Sequence, residues 1–137
     1  LWRRIKRKLK KYPDWPILHY GETELLAILK IAKEQGQDDN EIKVFQDRFI
    51  DIHERLKKHW ILPTSSYSLK SIAKWLGFQW TKEDADGSKA LLWWRQWQSS
   101  KKSRISKSKN LRSILTYNKD DCLATWEIAK WMIEEDI

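Results

Sequence analysis

Tyr117 and Asp121 stand four residues apart in the string Leu115-Thr116-Tyr117-Asn118-Lys119-Asp120-Asp121-Cys122-Leu123-Ala124-Thr125. Around it Leu111, Ile114, Leu115, Cys122, Ile128, Ala129 and Met132 recur at three- and four-residue steps, a period that predicts a helix. On that helix the phenol and the carboxylate share one face, one turn apart. A carboxylate holds a hard divalent cation, and a phenol beside it can orient or deprotonate a metal-bound water. The same residues also suit a half-buried core tyrosine beside a solvated acidic face, so the pair alone does not decide. Cys122, the single cysteine, lies among apolar residues and reads as a small buried hydrophobe.

A second pair of acids, Glu22 and Glu24, follows Gly21. Residues 16–20 read as a short buried strand, and a helix follows with Leu25, Leu26, Ile28, Leu29 and Ala32 on its inner side, stopped by Gly36. A strand–Gly–helix unit is typical of parallel sheets, which gather functional residues at the strand's C-terminal end. The helix dipole alone also favours acids there. Asp38-Asp39-Asn40 reads as a loop and cap for a helix from about Glu41, whose apolar pattern runs through Ile42, Phe45, Phe49, Ile50, Ile52 and Leu56. The β-branched cluster at 49–52 also allows a short strand. His53 and His59 have no ligand spacing with a cysteine and read as surface or core residues.

Ser68 or Tyr67 begins a compact helix closed by Gly77. The acidic stretch 79–87 reads as a turn, with Ser88 capping a helix that carries Trp93, Trp94, Arg95 and Trp97. Such aromatics stack on bases or, more often, on core and interface neighbours. The run 101–109 contains no acid, and its Lys101, Lys102, Arg104, Lys107 and Lys109, with Arg112 just beyond, are candidate phosphate contacts. Residues 1–11 form a basic helix with a thin stripe of Trp2, Ile5 and Leu9, suited equally to an anionic surface or to docking one edge on the core. Residues 12–16 make the turn that ends it.

The bulk composition sets the limits. With 137 residues the chain is one domain or part of one. Its formal charge of +8 favours an anionic partner, nucleic acid first. Ten tryptophans exceed what a core of this size needs, so some belong at a surface or interface. One cysteine excludes an internal disulfide and suits a reducing cytoplasm. No apolar run approaches a membrane span, and no signal peptide is present in these residues.

Three strings in order carry a resemblance: His19-Tyr20-Gly21-Glu22-Thr23-Glu24-Leu25, then Ser66-Tyr67-Ser68-Leu69-Lys70-Ser71-Ile72-Ala73-Lys74-Trp75-Leu76-Gly77-Phe78, then Tyr117-Asn118-Lys119-Asp120-Asp121-Cys122-Leu123-Ala124-Thr125. From Pro16 on, the chain resembles the YprB-type ribonuclease H-like domain of predicted RecB-family nucleases, a branch of the DEDD 3′–5′ exonuclease superfamily. The resemblance implies an α/β ribonuclease H-like fold, helix-rich with a short parallel strand core. It implies phosphodiester hydrolysis of DNA or RNA with two metal ions, Mg2+ or Mn2+, held by four carboxylates. Asp121 and Glu24 then match metal ligands, and Tyr117 the residue that orients the nucleophilic water. Glu24 stands where the family more often has Asp. The family's opening Asp-x-Glu strand has no counterpart here, so residues 1–137 are expected to be the C-terminal part of one such domain, joined to helicase or nuclease modules. The rival expectation is a non-catalytic module of the same fold that docks nucleic acid or a partner.

Overall fold

The computed structural model describes residues 1–100, 104 and 108–136. Their helices and strands follow in the order α1 (Trp2–Leu9), β1 (Ile17–His19), α2 (Thr23–Glu34), α3 (Asp39–Gln46), β2 (Phe49–Asp51), α4 (Ile52–His59), α5 (Leu69–Trp75), α6 (Gly87–Ser99) and α7 (Lys109–Glu135). The fold is the expected helix-rich α/β type with a short parallel sheet. The chain forms two compact units, Leu1–Pro63 and Thr64–Ile137. Among the described residues no helix is long and apolar enough to cross a membrane.

In the first unit the stripe on α1 docks on the core. Trp2, Ala32 and Phe45 form the buried centre, with Ile5 and Leu9 packed against it. Trp2 meets Phe45 edge to face at 4.7 Å between ring centroids, and its indole N–H donates to Gln37 Oε1 at 2.8 Å. The indole therefore keeps a polar partner when its ring is buried. Gly36 ends this region of α2 with φ +78, a left-handed backbone that a side chain would disfavour. Leu26 is 58% exposed, unlike its expected inward placement, because Ile28, Leu29, Ile31 and Ala32 are the residues of α2 that reach the core.

The segment after Asp38 is not one continuous helix. Asp38 caps α3 by accepting from the Glu41 amide at 2.9 Å, and α3 stops at Gln46. Residues Phe49–Asp51 then pair in parallel with β1, in the register Ile17 with Phe49, Leu18 with Ile50 and His19 with Asp51. Ladder bonds and β-branched packing win over helix continuation here. The turn before β1 is tied down by Arg48, whose guanidinium Nη2 donates to the Trp15 carbonyl at 2.9 Å.

The second unit is organised on α7. Ala124, Thr125, Ile128, Ala129 and Met132 are buried along it, and Trp75 of α5 packs edge to face on Trp131 at 5.4 Å. Ser68 caps α5, accepting from the Ser71 amide at 3.2 Å, and Ser108 caps α7, accepting from the Leu111 amide at 3.2 Å. Asp86, not Ser88, caps α6: it has extended backbone, and its carboxylate accepts from the Lys89 amide at 2.8 Å. Cys122 is exposed rather than buried, as is Leu115. The buried face of α7 runs through Asp120, Ala124 and Ile128, and both residues fall off it.

Candidate functional site

Tyr117 and Asp121 lie on α7 as their spacing predicts, and each is partly buried. A buried neighbour fixes the acid: the indole N–H of Trp80 donates to Asp121 Oδ1 at 2.8 Å. Trp80 is itself 6% exposed and stacks edge to face on Phe78 at 4.9 Å, so the donor is held by packing. The Tyr117 phenol has its pKa raised above the ordinary 10.0, first by burial and then by the negative charges of Asp121 and Asp86. Each cause disfavours the phenolate. Near neutral pH Tyr117 is therefore a neutral hydroxyl, able to donate a hydrogen bond and orient a bound water but not to serve as a base. Of the two tasks open to a phenol at this position, orientation is the one its surroundings allow.

Asp120 is the residue the sequence leaves looking like a solvated neighbour. It is 7% exposed, and its carboxylate accepts from the Thr81 amide at 2.9 Å and from the Thr81 hydroxyl at 3.2 Å. The two adjacent aspartates thus pin the 80–81 segment to α7 through different oxygens. A signal for this was present: residues 120, 124 and 128 recur at four-residue steps and share one helix face.

Glu24 lies in the first turn of α2, exposed, and Glu22 is the exposed residue just before that helix. Both belong to the first unit, whereas Tyr117 and Asp121 belong to the second. Near Glu24 the chain is braced by an acid that sequence reasoning did not single out. Asp51, at the end of β2, accepts from the Gly21 amide at 3.0 Å and from the His53 amide at 3.0 Å, while it caps α4. The exit of β1, with Gly21 at φ +89, is thereby held against the exit of β2. His53 packs on Tyr20 with ring centroids 4.8 Å apart.

Of the candidate phosphate contacts, Arg104, Lys109 and Arg112 are exposed, and Lys101, Lys102 and Lys107 lie outside the described residues. Trp93 and Trp97 are half-buried and Trp94 is exposed, with Trp94 and Trp97 in tilted contact at 5.0 Å.

A family model of the RNase H superfamily matches residues 1–133. The chain belongs to the RNase H superfamily. No curated protein matches it, and no solved structure does. Membership in that superfamily points to nuclease-like chemistry. A metal pair of the kind expected from the four-carboxylate resemblance needs several acids at one place. Asp120 is engaged by Thr81 and Asp121 receives the Trp80 indole. Among the described residues no group of three or more His, Cys, Asp or Glu side chains is placed to hold a metal ion. By themselves these residues do not fit a metal pair.

Proposed function

We propose that this RNase H superfamily chain serves in nuclease action, the exonuclease-like hydrolysis of phosphodiester bonds in DNA or RNA, as part of a larger cytoplasmic nuclease or helicase protein of the YprB-type, RecB-related branch. The observation that carries the reading is the family match over residues 1–133. Tyr117 and Asp121 on one face of α7 support it at the level of the site. Asp121 is the acid that this chain offers to the reaction centre, oriented by Trp80, and Glu24 is a second, offered from the start of α2. Tyr117 donates a hydrogen bond from its neutral hydroxyl to water or to a phosphate oxygen. Mg2+ or Mn2+ is the cofactor proposed for that activity, and its coordination requires carboxylates beyond those placed together here.

The test is degradation of 3′- and 5′-labelled DNA and RNA oligonucleotides by the full-length protein, with Mg2+, with Mn2+ and with EDTA, against Asp121→Asn. Asparagine keeps an oxygen for the Trp80 indole and removes the charge, so the variant should fold and lose cleavage. Equal cleavage by both proteins would remove Asp121 from the reaction centre. The second reading is a non-catalytic module that binds nucleic acid, favoured by the way Asp120 and Asp121 both serve the packing of the 80–81 segment. Binding without cleavage under any metal would establish it.

A further inference from the structure

Beside the first turn of α7 the second unit has a cavity of about 490 Å³. Its wall carries Lys82, Lys89, Lys109, Asn110, Ser113 and Trp93. Lys82 is held in place: its ammonium donates to Ser113 Oγ at 2.6 Å and sits 5.0 Å from the centroid of the Trp93 ring. Ser113 is only 5% exposed, so the hydroxyl that anchors the cation is part of the packed interior. Lys109 and Asn110 are the first two residues of α7, where the partial positive charge of the helix end adds to that of the ammonium groups. Two acids, Glu83 and Asp84, also line the cavity, and Asp84 stands 3.5 Å from Lys89. Lys82 and Lys109 are therefore the cations of this wall available to an anionic ligand.

We propose that this cavity binds a phosphate of a nucleic-acid strand. The volume lies within the usual range for ligand sites and holds more than a bare ion. The position follows from α7. Ser113, Tyr117 and Asp121 recur at four-residue steps, so the cavity wall, the phenol and the acid form one stripe along the helix. From Ser113 to Asp121 the helix rises about 12 Å, at about 1.5 Å per residue. A strand that places one phosphate against Lys82 and Lys109 has Asp121 about 12 Å further along α7, past the 80–82 segment that packs on this face of the helix. The inference rests on the nuclease reading for the identity of the polymer and not for the chemistry of the cavity.

The experiment measures binding of a fluorescein-labelled single-stranded oligonucleotide by polarisation, in EDTA, over a range of salt concentrations. The proteins are wild type, Lys82→Gln/Lys109→Gln, Lys82→Arg, and the double substitution Lys43→Gln/Lys30→Gln, which removes the same charge from the first unit. We expect the cavity double variant to bind at least about tenfold more weakly, and the slope of log affinity against log salt to shrink by about 0.7, the value for one lost phosphate contact on a single strand. Lys82→Arg, which keeps the charge, should keep most of the affinity, and hydrogen exchange along α7 in the Gln double variant should match wild type, which excludes misfolding as the cause of the loss. The idea is overturned if the two double variants lose affinity equally, if neither does, or if poly-glutamate displaces the oligonucleotide as well as unlabelled oligonucleotide does. Loss of binding confined to the cavity variant, with no cleavage by wild type under any metal, keeps the phosphate site and removes the nuclease reading. Cleavage that the cavity variant carries out with wild-type affinity does the reverse.

Discussion

Replacing Asp120 by alanine removes the acceptor of two hydrogen bonds, from the Thr81 amide at 2.9 Å and from the Thr81 hydroxyl at 3.2 Å. A hydrogen bond to a charged group contributes about 1.5–3 kcal/mol net. The two bonds share one carboxylate and one partner residue, so they do not add. Thr81 is exposed, and water reaches its amide once the carboxylate is gone. These two corrections put the loss near the lower end, about 2 kcal/mol. Asp120→Asn should cost about half as much, because one amide oxygen still accepts from the Thr81 N–H and the amide NH2 can donate to the threonine hydroxyl. The chain has two compact units, so a single global transition is the wrong readout. Hydrogen exchange at the backbone amides of α7 reports the second unit directly. A double-mutant cycle with Thr81→Val isolates the hydroxyl contact, for which a coupling of about 0.5–1 kcal/mol is expected. A loss below about 0.5 kcal/mol for Asp120→Ala, the level of an ordinary surface substitution, would refute the claim that this acid pins the 80–81 segment.

Other substitutions test the remaining parts. Asp51→Ala removes a helix cap and the partner of the Gly21 amide together, and should destabilise the first unit by about 1–2 kcal/mol in exchange measurements on β1 and α4; an unaltered pattern would show that the β1 exit is held by other contacts. The His53 pKa is lowered from 6.5, chiefly by burial and also by Lys57, with Asp51 opposing. The unfolded chain therefore takes up a proton at this position before the folded one, so first-unit stability should fall as pH drops through 6.5 towards the lower folded value, and His53→Gln should flatten that dependence. For Tyr117 the order is reversed: the folded state keeps the phenol proton above pH 10.0, so its contribution is lost as pH rises through and beyond that value. Alkaline unfolding curves of Tyr117→Phe should lack this component, and identical curves would sink the burial argument.

Much of this was legible in the chain, because local rules sufficed. Asp38 and Ser68 are caps by residue type and position, and Gly36 and Gly77 end helices by their positive φ. The Tyr117–Asp121 pairing follows from a four-residue step. What local rules did not reach were partners distant in sequence. The break of the helical pattern at Phe49 depends on β1, some thirty residues earlier, offering a free ladder edge. Trp80 reads as one tryptophan among ten until its indole is found 2.8 Å from a carboxylate 41 residues away. Cys122 lies among apolar residues in the string and joins their three- and four-residue recurrence, yet the phase of Asp120, Ala124 and Ile128 sets the buried face of α7 and turns Cys122 outward.

That phase has a consequence for how the second unit can change over time. Each helical residue turns the next by about 100°, so inserting or deleting one between Ser113 and Asp121 would rotate everything downstream by that angle. The acid would swing away from the cavity, and in the same step Ala124, Ile128 and Met132 would leave the core they fill. One helix thus encodes both the bearing of the acid and the fit of the interior, and neither can drift without the other. Length variation in this protein should therefore be found in the loops flanking α7, with the nine residues from Ser113 to Asp121 kept at constant count.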